Sequence, residues 1–255
     1  MRMLAGMRTT VHLEGDLVDL VGEPEHDIAV VEPRSVKDLV ESIGIPHPEI
    51  GLLVVDQRSV GFDQRVFGGE QVTVHPPGHE VSIDPRLDLW PEPVEPRRFV
   101  LDVHLGTLAR RLRVLGYDSW YRSEASDPEL AGVAVGEDRI LISRDRQLLM
   151  RRTILHGYCP RSDDPDQQLD EVVHRYQLTG APGPLTRCPR CNGLLASVTR
   201  EEVGDQLPPR TRMAFTRFAR CARCGQIYWP GAHRAALERV ITRARGRPPA
   251  GSSRR

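Results

Sequence analysis

The first third of the chain is written in short apolar runs broken by turn residues. TVHLEGDLVDL and HDIAVVEP read as the two strands of a hairpin, and GLLVVDQRSV and QVTVHPP as later strands. Between them SVKDLVESIG reads as a helix, with Ser35 as its N-cap and Gly44 just past its end, while His47 between Pro46 and Pro48 reads as a turn residue. The order is strand, strand, helix, strand, strand. Beyond residue 98 the pattern changes. Phe99, Val100 and Leu101 form a short apolar strand that stops at Asp102. The next segment puts Leu105, Leu108, Ala109, Leu112 and Leu115 on one helical face, with Arg110, Arg111 and Arg113 off it and Gly116 as the stop. YDSWY follows as a strand, SDPELAGVAVGED as a helix opened by Ser126 or Asp127, and RILISRD as a third strand. Such a β-α-β-α-β run predicts a parallel sheet fed by right-handed crossovers, its strand ends side by side on one edge.

Two of those strands end in a carboxylate, Asp102 and Asp145, the latter held between Arg144 and Arg146. Two readings stand. An aspartate after a strand can cap the helix that follows. At the carboxyl edge of a parallel sheet, where ligands bind, it can instead hold a metal ion, and the crossovers would let Asp102 and Asp145 meet.

The zero net charge is a sum of opposites. Residues 1–84 carry 15 acidic and 6 basic side chains, a balance of −9, whereas residues 99–255 carry 17 acidic and 26 basic ones, a balance of +9. Between them PRLDLWPEPVEPRR has four prolines in 14 residues, the composition of a semi-rigid linker. The acidic half would repel nucleic acid and the basic half attract it. No stretch approaches the roughly 18 to 20 apolar residues of a membrane span, and the start of the chain lacks a signal-peptide core. The expectation is a globular, cytoplasmic protein with no membrane association.

The cysteines make the sharpest local signal. Cys188 and Cys191 form one CxxC and Cys221 and Cys224 another, with 29 residues between the pairs. Two such knuckles complete a tetrahedral Zn²⁺ site, and four protein ligands leave no open position, so the site is structural. Paired disulfides would not suit a reducing cytoplasm. Cys159 is left as a buried thiol. Arginines run through the same region from Arg187 to Arg223. Phe215, Phe218, Tyr228 and Trp229 either stack on single-stranded RNA or form the small domain's core. The tail RARGRPPAGSSRR reads as basic and disordered.

These segments carry two resemblances. VKDLVESIGIPHPEIG and GGEQVTVHPPG, with the element order above, resemble the β-grasp ubiquitin-like domains related to sulfur carriers. Gly68 and Gly69 precede the last strand instead of ending the chain, so sulfur transfer is not expected. LDVHLGTLARRLRVLGYDSWY, SDPELAGVA, RILISRD, RCPRCNGLL and CARCGQIYWPGAH resemble the Mut-seven C-terminal RNase domain, a PIN-like fold with a fused zinc ribbon, often preceded by a ubiquitin-like domain. The resemblance implies a mixed α/β and α+β chain: a β-grasp domain at 1–84, a linker at 85–98, a PIN-like parallel α/β/α domain at 99–184, a ribbon at 185–240 and a tail at 241–255. It implies a metal-dependent ribonuclease, with Asp102, Asp127, Asp145 and a fourth acid, Asp163 or Asp164, at the site. Asp102 and Asp145 would hold Mg²⁺ or Mn²⁺. Arg113 and Arg144 read either as phosphate contacts or as part of a solvated helix face. The glutamate that many PIN nucleases carry on an intervening helix has no clear counterpart. The alternative is therefore a non-catalytic RNA-binding adaptor whose ubiquitin-like domain recruits a protein partner.

Overall fold

The computed structural model describes residues 7–178, 183–229 and 240–242. The chain forms two compact bodies, Met1–Val94 with Asp127–Arg161, and Glu95–Ser126 with Ser162–Arg255. Most of the expected tail, residues 243–255, lies outside the described residues.

The first body is built on a five-stranded sheet. Met7–Leu13 pairs antiparallel with Glu25–Val30 and parallel with Gln71–His75, and Leu52–Val55 lies antiparallel on the far side of the latter. The expected strand TVHLEGDLVDL is shorter than its apolar pattern suggested. Gly15 turns the chain at φ +59°, and helical turns at Gly15–Leu17 and Val18–Val21 bring Leu17 into the core. GLLVVDQRSV is a hairpin, because Asp56 and Gln57 both take positive φ and return the chain as Arg58–Val60. The helix Val36–Ser42 starts as expected, Ser35 accepting a hydrogen bond from the Asp38 N–H at 3.0 Å. Its buried Val36, Leu39 and Val40 pack with Val11, Val72 and Val74 of the sheet. Residues 85–90 follow this domain closely. The Leu89 N–H donates to the Gly51 carbonyl at 2.8 Å, and the Leu89 side chain packs against the core.

Residues 127–161 complete the first body. The helix Asp127–Gly136 leads to the strand Ile140–Ile142, which pairs in parallel with Gly157–Tyr158. Polar contacts fasten this segment to the β-grasp domain. The Glu49 carboxylate, fully buried, accepts from Arg161 Nη1 at 2.8 Å, Arg161 Nη2 at 3.2 Å and the Cys159 N–H at 2.6 Å. Burial alone would weaken the guanidinium's hold on its proton, but Glu49 opposite holds it firmly charged. Arg161 also reaches Asp16 at 3.2 Å and lies over the Tyr158 ring at 4.9 Å. His47 opens the helical turn His47–Glu49, as expected, and is buried there. Its Nδ1 lies 2.7 Å from Glu41 Oε1 and its Nε2 2.8 Å from the Ile154 carbonyl. Cys159 is buried as expected, and burial pushes its thiol up to about 11.

In the second body Arg98–Leu101 pairs in parallel with Asp118–Trp120, connected by the helix Gly106–Val114. The predicted apolar face of that helix is buried throughout, from Leu105 to Leu115. The helix Pro165–Arg175 packs alongside it. Beyond residue 183 the three strands Leu195–Val198, Phe218–Cys221 and Ile227–Tyr228 form an antiparallel sheet. No helix among the described residues is long and apolar enough to cross a membrane.

Two outcomes test this architecture. Glu49→Gln should cost about 3–5 kcal/mol, because Arg161 is left buried against a neutral partner. A double variant, Glu49→Leu with Arg161→Met, should recover most of the loss in urea denaturation. Separately, His75 is buried, stacked on His79 at 5.1 Å, and its basicity is lowered from 6.5, first by burial and then by His79 and Arg86 against an opposing Glu14. The unfolded chain therefore binds a proton here before the folded one does. Stability should fall as pH drops below about 6.5, and His75→Gln should flatten part of that slope.

Candidate functional site

Each acid singled out in the sequence stands at the end of a strand or the start of a helix. Asp102 follows Leu101, is buried, and accepts from the Val103 N–H at 2.6 Å. Asp145 is exposed after Ile140–Ile142. Its Oδ1 accepts from the N–H groups of Gln147 at 2.8 Å and Leu148 at 3.3 Å, capping the helix Arg146–Leu149. The capping reading therefore describes Oδ1. Oδ2 has no partner among the described residues, so cap and metal ligand are compatible roles. Asp127 opens its helix, half-buried, 3.7 Å from Arg151. Asp164, not Asp163, caps Pro165–Arg175, accepting from Asp166 at 2.6 Å and Gln167 at 3.2 Å. Asp127 and Asp145 belong to the first body, Asp102, Asp163 and Asp164 to the second.

Sequence reasoning missed what steadies the Asp145 turn. Arg146 Nη1 donates to the Leu20 carbonyl at 2.9 Å and the Gly44 carbonyl at 3.3 Å, and the Asp145 N–H donates to Ser143 Oγ at 2.9 Å. No spacing rule links Arg146 to residues more than a hundred positions earlier. Arg144 is exposed beside Asp145. Arg113, expected at the phosphate, is instead buried. Its Nε donates to the Ser119 carbonyl at 2.9 Å, and its Nη1 to the carbonyls of Pro189 and Arg190, each at 3.2 Å. The helical wheel placed Arg113 off the apolar face, but a neighbouring knuckle covers that side. Burial lowers its basicity, and the thiols of Cys191 and Cys188 oppose this.

The four cysteines are brought together as expected. The Sγ atoms of Cys188, Cys191, Cys221 and Cys224 all lie within 4.8 Å of one another, with Cys191 to Cys221 at 3.4 Å and Cys188 to Cys224 at 3.8 Å. Sulfurs about 2.3 Å from a tetrahedral Zn²⁺ would stand about 3.8 Å apart, so the donor set fits that ion. Gly193 is required here. A Cβ on it would sit 2.7 Å from Arg223 Cβ and 2.9 Å from Cys221 Sγ. Burial raises the Cys221 thiol, but the N–H groups of Cys224 and Arg223 outweigh it and bring it down to about 7. The first knuckle is tied to the sheet edge. Asn192 accepts from the Ser119 N–H at 3.1 Å and donates to Asp118 at 2.8 Å, and Arg187 pairs with Asp118 at 3.0 Å. Phe218, with Phe215 and Trp229 packed on it, fills the ribbon's core, and the Tyr228 hydroxyl lies 3.0 Å from Cys188 Sγ. The stacking role considered for these aromatics gives way to packing.

Known proteins place this arrangement. The pattern of the Mut7-C RNAse domain matches residues 97–241, and that of Mut7-C ubiquitin matches residues 10–82. Among solved structures, a putative molybdopterin converting factor, subunit 1, from Pyrococcus furiosus is similar at 23% identity, over 28% of this chain and 99% of its own, with a TM-score of 0.25. That likeness is too slight to argue from. No curated protein matches the chain.

Purified protein should carry one equivalent of Zn²⁺, because a closed Cys₄ site contributes folding energy directly. Cys221→Ser should release the metal and unfold the ribbon, read by elemental analysis and by protease sensitivity at 185–229. A folded chain without zinc and with four freely reacting thiols would contradict the ribbon.

Proposed function

The chain belongs to the Mut7-C RNAse domain family, and from that membership we propose that it hydrolyses RNA phosphodiester bonds with Asp102, Asp127, Asp145 and Asp164 as its catalytic acids, Asp102 and Asp145 holding Mg²⁺ or Mn²⁺. The observation that carries the reading is the position of Asp102 and Asp145. Asp102 directly follows the strand Arg98–Leu101, and Asp145 stands three residues past Ile142 at the start of the next helix, both beyond the carboxyl ends of strands in parallel pairing inside the matched segment. Carboxylate oxygens are hard donors suited to these ions, and Asp145 keeps one oxygen outside its cap. Bound there, a divalent ion would supply an activated water and offset charge on the leaving oxygen. The chain's own residues do the remaining work. The backbone N–H groups at Gln147 and Leu148 hold Asp145 Oδ1 in one orientation, and Arg146 pins the turn. Exposed Arg144 offers positive charge beside it to a bound phosphate.

Zn²⁺ in the Cys₄ site would be structural. The exposed Arg190, Arg210, Arg217 and Arg223 would grip single-stranded RNA through phosphate, without the aromatic stacking that the ribbon core now occupies. Reduced thiols suit a cytoplasmic setting. The ubiquitin-like domain would offer a protein partner the surface it does not use against residues 146–161.

Asparagine caps a helix about as well as aspartate but carries no charge. Asp145→Asn should therefore abolish Mn²⁺-dependent cleavage of a mixed RNA panel while leaving the melting temperature unchanged. Its RNA binding without divalent ions should be equal or stronger. A variant that cleaves like the parent would reduce Asp145 to a cap, and a parent that binds RNA but cuts none of it would favour the adaptor.

A further inference from the structure

A cavity of about 250 Å³ opens in the second body. Arg98 and Asp118 both line it, and they are the first residues of the two parallel strands, facing one another in register. Asp102 lies past the other end of the Arg98 strand, four residues on, or about 13 Å at a strand's rise. The cavity and Asp102 thus sit at opposite ends of one strand.

Its lining is cationic in a particular way. Three arginines, Arg97, Arg98 and Arg187, face two carboxylates, Glu95 and Asp118, leaving one positive charge in excess. Two of the arginines are already held. Arg187 pairs with Asp118 at 3.0 Å and donates to the Asn192 carbonyl at 3.0 Å, and Arg97 pairs with Glu95 at 2.9 Å. The Arg98 guanidinium has no hydrogen-bond or ion-pair partner among the described residues and is only half-buried. Tyr117 also lines the cavity, its ring fixed edge-on against Phe99 at 5.9 Å. Burial pushes its phenol up to about 12, so near neutrality it is an O–H donor, never a phenolate. One uncommitted cation, pre-oriented cationic neighbours and a neutral donor suit a singly charged oxyanion.

We propose that this cavity is an anchoring site for one internal phosphodiester of RNA, held by Arg98 and Tyr117 without regard to sequence, at the end of the strand opposite Asp102. The assignment rests on the reading of the chain as an RNA-binding nuclease. A monoanionic diester matches the single excess charge, whereas a terminal phosphate, largely dianionic at pH 7, would be undercompensated. Anchoring there would set the register of a strand whose reacting bond lies elsewhere, the positioning role that backbone contacts play in nucleic-acid complexes.

The test uses the full chain with its zinc, in buffer without added Mg²⁺ or Mn²⁺, and a fluorescent single-stranded RNA 12-mer. Arg98→Ala should raise Kd about tenfold, the loss expected of one charge-assisted contact. It should also reduce the slope of log K against log salt by about 0.7, one phosphate's share for a single strand. Arg98→Lys should restore the slope but only part of the affinity, and Tyr117→Phe should weaken binding with the slope unchanged. Zinc content and melting temperature must match the parent in each case, since Arg98 begins a strand. An unchanged Kd and slope in a folded Arg98→Ala protein would overturn the proposal. So would displacement of the 12-mer by micromolar uridine monophosphate in the parent but not in Arg98→Ala, which would make this a free-nucleotide site. Cleavage by Asp145 is read separately, so an intact nuclease with an inert Arg98 would refute the anchor alone, and a parent that binds no RNA would refute both.

Discussion

A carboxylate removed from water must be answered by charge and hydrogen bonds, and Glu49 is the place where this chain meets that demand most fully. Uncompensated, such a group costs several kcal/mol. Arg161 answers with both terminal nitrogens, and the Cys159 N–H takes a further lone pair. Glu49 is in the β-grasp domain and Arg161 lies well beyond the linker, so satisfying one buried charge joins two distant stretches of chain. His47 on Ile154 and Arg146 on Leu20 and Gly44 follow the same line. The acidic character of the first 84 residues thereby acquires an internal use. Asp16, Glu41 and Glu49 are spent on the body's own basic groups.

This arrangement bears on how the matched RNase segment is held. Residues 127–161, with Asp127 and Asp145, fold into one body with the ubiquitin-like domain, while residues 95–126, with Asp102, fold with the ribbon. The Asp145 turn is steadied by carbonyls of the β-grasp domain, so that domain is a structural support of a candidate catalytic residue. On the other side, Arg113 and Asn192 bind the first cysteine knuckle to the helix and edge strand next to Asp102. A metal there would stiffen the body that presents Asp102. Polar contacts of this kind are directional, and they fix one arrangement where apolar packing alone would tolerate several.

Local pattern was enough for much of this. The Ser35 cap, the buried face from Leu105 to Leu115, the strand that ends before Asp102, the helix start at Asp145 and the two knuckles all follow from rules that act within a few residues, where period, capping and ligand spacing operate. The same rules misjudged the strand after Gly15, the continuous strand through Asp56 and Gln57, and the side of the helix on which Arg113 stands. In each case the deciding partner, a core position or a neighbouring knuckle, lies outside the local window.

What the linear sequence determined, then, is the class of each element and the identity of the chemical groups: carboxylates after strands, four thiolates in two knuckles, opposite charge in the two halves. Only the tertiary structure decided which groups are spent inside and which are left for a ligand. Arg113 and Arg161 are consumed by burial, whereas Arg98 and one oxygen of Asp145 are not. The physical reason is that burial and pairing are set by what lies across the fold, and contacts such as Glu49 with Arg161, 112 residues apart, leave no periodicity in the chain from which to read them.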